Sequence, residues 1–249
     1  MLYDMSATTT DLSQARIDMA LVPIGAIEQH SIHLPLGTDW IGATGMARRT
    51  AELLARERNV YLVPAFPFSL SQCHGPMIGT AWLTPQTLAD VLRDIVLSLY
   101  DQGIHRIAVI NGHGGNFVLD EEIRELNARL PDLIVINAIA WDLSGTGKRP
   151  TGRVVGGDIH AGTSETSQHL YLNPEHVHAE RLDYVPPVGR EFLDYAFMSQ
   201  ISPDGTWGRP SLATAEAGEK SVQRGVANMA RNILQAFDEI EALRGGEQP

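Results

Sequence analysis

The stretch Met19-Ala20-Leu21-Val22-Pro23-Ile24, running straight into Gly25-Ala26-Ile27-Glu28-Gln29-His30, sets the reading of the chain. Six apolar residues bounded by a glycine are too few for a helix and read as a buried strand. Runs of the same kind, rich in branched side chains, recur at residues 60–63, 104–110 and 133–139. Helical patterns lie between and after them. Leu88, Val91, Leu92, Ile95, Val96 and Leu99 fall on one stripe of a 3.6-residue period, and Thr84 followed by Pro85 supplies an N-cap and first helical residue. Val222, Val226, Met229, Ile233, Phe237 and Ile240 mark a last helix over 218–243. Strands alternating with helices imply an α/β fold, a three-layer α/β/α sandwich on a mainly parallel sheet.

Composition narrows the class. The chain has 249 residues, 43% of them hydrophobic, with no repeat and no low-complexity linker, so residues 1–249 read as a single domain. Lys and Arg number 19 against 30 Asp and Glu, a formal charge of −11 that disfavours nucleic acid and anionic membrane as partners. Cys73 is the sole cysteine, and no apolar run approaches the roughly 18 to 20 residues that cross a bilayer. The first 20 residues lack the features of a signal peptide. A cytoplasmic protein acting on a small molecule is the expectation.

In parallel sheets ligands bind beyond the carboxyl ends of the strands. That directs attention to residues 25–39, 64–79, 111–116 and 141–165. In the first segment, if extended, Glu28 and His30 face one way and Gln29 the other, so the pair can address one ion. Taken singly, Glu28-x-His30 reads first as a surface ion pair and Asp39 as an N-cap for a helix beginning near Trp40. Asn111-Gly112-His113-Gly114-Gly115-Asn116 is a glycine turn presenting His113, and its spacing fits no phosphate-binding fingerprint. Gly145-Thr146-Gly147-Lys148 fails the same test because Arg149 follows. Asp158-Ile159-His160-Ala161-Gly162-Thr163-Ser164-Glu165 is a loop entering a helix, where Glu165 also suits the first-turn dipole. Histidines and carboxylates converging on one sheet edge without thiolates suit Zn, Mn or Fe, and a bridging carboxylate suits a two-metal hydrolytic site.

With those residues in view, PIGAIEQHSIHLPLGTD (from Pro23), NGHGGN (from Asn111) and DIHAGTSETS (from Asp158) resemble the three signature blocks of the creatininase (creatinine amidohydrolase) family. Gly208-Arg209-Pro210-Ser211-Leu212-Ala213, followed by Ala217-Gly218-Glu219, resembles the family's C-terminal portion, so most of the chain is covered. The resemblance implies two divalent ions per chain held by Glu28, His30, Asp39 and His113, with Asp39 bridging. It implies His160 as the proton-transferring histidine and a homo-oligomer, a hexamer on family precedent. It departs from creatininase in three places. Gly115 stands where a glutamate is found, making Glu165 the candidate to complete the second metal group. Gly156 stands where a tryptophan packs on the substrate ring, and Ser31-Ile32 replaces the usual Gly-Pro.

Asp158, Cys73, His74, Trp141 and Trp207 are expected to line the substrate pocket, and His33 to sit behind the ligands. Thiol catalysis by Cys73 is not expected, because adjacent residues such as Cys73 and His74 usually point apart. His105, His169, His176 and His178 read as surface or packing residues. The leading expectation is hydrolysis of an amide-type C–N bond by metal-activated water, with His160 protonating the departing nitrogen. Hydrolytic C–C opening of a cyclic polyhydroxy ketone is a rival within the family. A non-catalytic small-molecule binding module is a rival outside it.

Overall fold

The computed structural model describes residues 1–140 and 157–246. In chain order the elements are β1 (Leu2–Tyr3), α1 (Thr9–Gln14), β2 (Met19–Ile24), α2 (Thr38–Leu54), β3 (Val60–Leu62), α3 (Pro85–Tyr100), β4 (Arg106–Asn111), α4 (Val118–Arg129), β5 (Ile134–Ile139), α5 (Thr163–Leu172), α6 (Met198–Ile201) and α7 (Ala215–Arg244). The five strands form one parallel sheet in the order β1-β3-β2-β4-β5.

Every residue of β2 is buried, as a central strand covered on both faces requires. Its alternation divides two cores. Met19 and Leu21 join Met46, Ala47 and Leu54 of α2 and Val222, Met229, Ile233 and Phe237 of α7. Ala20, Val22 and Ile24 join Leu88, Leu92 and Val96 of α3 and Leu119, Ile123 and Leu126 of α4. Helices therefore cover both faces, giving the three-layer sandwich. Pro23 is tolerated in mid-sheet because the β2–β3 ladder stops at Leu21 and Leu62. Beyond that point the Pro23 carbonyl accepts from Phe66 N–H, and no ladder partner calls for the missing donor.

Helix α3 starts as its sequence dictates, with Thr84 Oγ1 accepting from Thr87 N–H and Pro85 opening the first turn. Leu88, Leu92 and Val96 are fully buried on its inner stripe, each worth roughly 2 kcal/mol of transfer free energy. Helix α7 begins three residues before the expected start, at Ala215, because Thr214 caps Ala217 N–H. The expected strands are displaced by one or two residues: Val63, Ile104, His105 and Leu133 fall outside the ladders, while Asn111 lies within one. Strand β1 was not expected at all. No described helix is long and apolar enough to cross a membrane.

The connections run through α2 on one face and α3 on the other, so the carboxyl ends of β2 and β4 form the switch point of the sheet, where such folds place their ligand crevice. Two glycines allow α2 to start there. A Cβ on Gly25 would lie 2.3 Å from Trp40 Cα, and one on Gly112 would lie 2.9 Å from the Asp39 carbonyl oxygen. No side chain fits at either position, and that close approach delivers Asp39 to the crevice.

Candidate metal centre and active site

Four segments meet at the crevice: the β2–α2 loop, the loop after β3, the turn after β4 and the entry to α5. From the first come Glu28, His30 and Asp39, all buried. His30 Nδ1–H donates to the Glu28 carbonyl oxygen at 3.1 Å, which aims Nε2 at two carboxylates, 3.4 Å from Asp39 Oδ1 and 3.9 Å from Glu165 Oε2. Asp39 is not the cap of α2, which begins at Thr38 behind Gly37. It lies in the first turn and points its carboxylate between His30 and His113.

The NGHGGN turn is clamped by its two asparagines. Asn111 Oδ1 accepts from His113 N–H and from Asn116 Nδ2, and Asn116 Oδ1 accepts from Leu70 N–H. Both are fully buried, a role that the glycine pattern did not disclose. His113 then has Nδ1 2.8 Å from Asp39 Oδ2 and Nε2 2.9 Å from the Leu70 carbonyl and 3.4 Å from Glu28 Oε2. Gly115 is shaped by this arrangement, since a Cβ there would lie 2.4 Å from His113 Nε2.

The fourth segment turns sharply at Ala161, whose φ of 48° is in the left-handed region, and its N–H donates to Glu165 Oε2 at 2.6 Å. Glu165 is in the first turn of α5, as expected. His160 Nε2 lies 2.7 Å from the Gln29 carbonyl and its Nδ1 3.6 Å from Glu28 Oε1. His74 Nε2 approaches the same Glu28 oxygen at 3.5 Å. His74 is thus part of the cluster, its ring tilted by 41° to that of His160 with the centroids 4.5 Å apart.

Charges in this enclosed space shift one another. Burial alone would lower His30, but the Asp39, Glu165 and Glu28 carboxylates outweigh it and push it up to about 10. His113 is likewise desolvated, yet Glu28 and Asp39 raise it to about 9. Asp39 is desolvated too, and the two histidines nevertheless hold it far below the usual carboxylate range. Burial raises Glu165 to about 7, offset in part by His30. His160 is driven well below the ordinary histidine value by burial, with His30 and His74 adding to the effect.

The other expected pocket residues separate. Asp158 is engaged at the start of α5, where its two oxygens accept from Thr163 N–H at 2.5 Å and Ser164 N–H at 2.7 Å. Trp207 is fully buried, and its backbone pairs with that of His160, tying the histidine to the segment before Gly208. Cys73 is only partly buried, with its thiol pushed up to about 12 by burial and by Glu28, unlike an activated nucleophile. His33 packs behind the cluster with Nε2 2.9 Å from Thr166 Oγ1. His169 is buried in α5, a packing residue. Trp141 lies outside the described residues, as does Gly156. Gln29, expected to point away, is buried and reaches both His74 and His160 through its side chain.

Three overlapping groups present ligand atoms within 4.8 Å of one another: Glu28, His30 and His160; Glu28, Asp39 and His113; and His30, Asp39 and Glu165. Glu28 Oε2 and His30 Nε2 are buried without a hydrogen-bond partner. Buried polar atoms left unpartnered in this way, in a mixed imidazole and carboxylate set, fit divalent transition metals.

Comparison with known proteins agrees with this chemistry. The family model for creatininase, creatinine amidohydrolase, matches residues 5–233. A mycofactocin precursor peptide peptidase of Mycobacterium ulcerans is 30% identical, covering 88% of this chain and 86% of that protein. A creatinine amidohydrolase of Pseudomonas putida is 28% identical over 87% and 89%, and a 3-dehydro-scyllo-inosose hydrolase of Thermotoga maritima 24% identical over 88% and 79%. The crystal structure of a candidate creatinine amidohydrolase from Bacteroides fragilis superposes with a TM-score of 0.78 at 28% identity, covering 96% of each chain. Creatininase in a manganese form and a creatininase variant in a zinc–zinc form share the fold at TM-scores of 0.78 and 0.77 and 24% identity, covering 95% and 94% of this chain and 99% and 98% of theirs. Because the family match takes in every residue of the cluster, the chain belongs to the creatininase family of hydrolases.

Proposed function

We propose that the protein is a dinuclear metal-dependent amidohydrolase that cleaves an amide-type C–N bond of a small, cyclic substrate with water. The observation that carries this reading is the sharing of Asp39 between the Glu28–Asp39–His113 and His30–Asp39–Glu165 groups, beside the orphaned Glu28 Oε2 and His30 Nε2. Divalent ions held by these two groups would have Asp39 as a shared ligand. Zinc, manganese and iron all suit these donors. Glu165 completes the second group, in place of the carboxylate that position 115 lacks. The ions, when bound, supply Lewis-acid activation of water and of the scissile carbonyl.

The chain's own residues then divide the work. Glu28, His30, Asp39 and His113 hold charge in a fixed geometry. His160, neutral at the outset, takes the proton of the attacking water at Nδ1 and returns it to the departing nitrogen. Glu165, raised to about 7 in the metal-free protein, would give up its proton on joining the second metal group. The amide reading draws support from the Pseudomonas putida and Mycobacterium ulcerans relatives, whose names both denote C–N bond cleavage. Ring opening at a C–C bond is the second reading, favoured by Gly115 and Gly156 and by the Thermotoga maritima relative.

Incubation with cyclic amides, formamides, short peptides and inososes, before and after chelation, tests both readings. The expected result is turnover of an amide, abolished by chelator and restored by zinc or manganese. Turnover of inososes alone would replace the C–N assignment, and activity surviving exhaustive chelation would remove metal dependence. Assembly as a homo-oligomer, a hexamer on family precedent, belongs to the same proposal and is read by light scattering.

A further inference from the structure

Behind the cluster lies an arrangement that ligand chemistry alone does not call for. Ser31 adopts φ 61°, a left-handed conformation for a residue with a side chain. Its hydroxyl donates to Asp204 Oδ2 at 2.9 Å and accepts from Thr206 Oγ1 at 2.8 Å, which offsets the backbone cost. The turn aims Ser31 N–H at Gln29 Oε1, 3.0 Å away. That amide is also enclosed by Gly205, where a Cβ would lie 1.9 Å from Gln29 Oε1. The oxygen of Gln29 is therefore identified by its donor, and the other end of the amide must be the NH₂ group.

That NH₂ group lies 2.7 Å from His74 Nδ1, so His74 Nδ1 accepts and its proton sits on Nε2, facing Glu28 Oε1. His160 Nε2 lies 3.1 Å from that NH₂ group but 2.7 Å from the carbonyl of the same residue, which can only accept, and the shorter contact decides its role. His160 thus carries its proton on Nε2 and turns a lone pair at Nδ1 toward Glu28. We propose that Gln29 is a positioning residue that sets the tautomers of His74 and His160 through its side chain and its carbonyl, so that Glu28 faces an N–H on one side and a lone pair on the other. His74 is then a donor beside the centre, and His160 a proton acceptor or ligand at Nδ1. The inference rests on Glu28 and His160 belonging to the site proposed above, but not on which bond is cleaved.

The test is long-range proton–nitrogen correlation spectroscopy on the full-length protein with ¹⁵N-labelled histidine, supplied with zinc, which is diamagnetic. Resonances are assigned by His74→Asn and His160→Asn. The expected spectrum shows both rings protonated at Nε2 alone. Gln29→Glu replaces the donor facing His74 by a carboxylate oxygen and should move the His74 proton to Nδ1, leaving His160 unchanged. Gln29→Leu, which neither donates nor accepts, should leave His74 in a mixture of tautomers. A wild-type spectrum with either ring protonated at Nδ1 would overturn the proposal without need of any variant. So would a folded Gln29→Glu protein in which His74 keeps its proton on Nε2. Because the spectrum reads proton position and not turnover, an inactive protein with the expected tautomers would count against the amidohydrolase reading alone.

Discussion

Asp39 and Glu165 occupy matching places, each a carboxylate in the first turn of a helix that starts at the crevice, and each facing His30. A helix N-terminus favours negative charge at both. Yet Asp39 is held far below the usual carboxylate range while Glu165 is raised to about 7. Their neighbours account for the difference. Asp39 is flanked by two imidazoles, at 3.4 Å and 2.8 Å, whereas Glu165 has one at 3.9 Å and lies near two other carboxylates. Local helix position is thus a weaker determinant than the charges packed around it. Without metal, the first carboxylate is an anion at any ordinary pH, and the second becomes one only around neutrality.

The sharpest way to break that contrast is Asp39→Asn, which leaves His30 and His113 without their shared counter-charge. Turnover should fall by roughly 10⁴-fold or more, as when one member of a tightly coupled catalytic unit is lost. His160→Ala removes the proton carrier and should lower kcat by roughly 10²- to 10⁴-fold. Metal retained through Glu28, Asp39 and His113 would separate its effect from that of Asp39→Asn. Glu165→Gln keeps the shape but not the charge, and should cost about 10²-fold in turnover with loss of one metal group, measured by elemental analysis. Gly115→Glu places the creatininase-type carboxylate in a space already occupied, against His113 Nε2 and the Leu70 carbonyl. It should weaken metal binding by roughly 10-fold instead of strengthening it, measured by competition with a chromogenic chelator.

The smallest effect is on stability in the metal-free protein. His30 and His113 are raised from 6.5 to about 10 and about 9, so their stabilisation is complete below 6.5 and is lost as pH rises through those values. Glu165, raised from 4.5 to about 7, loses its own contribution over that lower interval, and the lowered Asp39 contributes evenly once pH is above 3.8. The urea midpoint of chelated protein should therefore fall between neutral pH and about pH 10, and zinc should abolish the fall. A midpoint that climbs over the same range would refute the charge assignment at the site.

Much of this was readable from residue order. Glu28, His30, Asp39 and His113 stand directly after apolar runs, and the rule that parallel sheets bind at their strand ends places them together without knowledge of the fold. Helix α3 shows its boundaries in Thr84 and Pro85. What escaped was carried by contacts distant in sequence. Strand β1 is two residues long, too short for any period to show, and exists because Leu2 and Tyr3 pair with Val60 and Tyr61. Strand alternation placed Gln29 opposite Glu28 and His30, but the left-handed Ser31 turns the chain so that its amide returns to rings 45 and 131 residues away. Nothing in the neighbourhood of Asp158 announced that two helix N–H groups would bond its carboxylate. His74 was placed near the pocket only by the segment it occupies, and its place beside Glu28 depends on the fold after β3.

Asp39 is proposed to join two metal groups. Elemental analysis of protein purified without chelator, beside Asp39→Ala prepared identically, tests it most directly. Two divalent ions per chain in the parent protein and none in the variant is the result the shared carboxylate requires. Absence of metal from the parent even after reconstitution, or full retention by the variant, would contradict it.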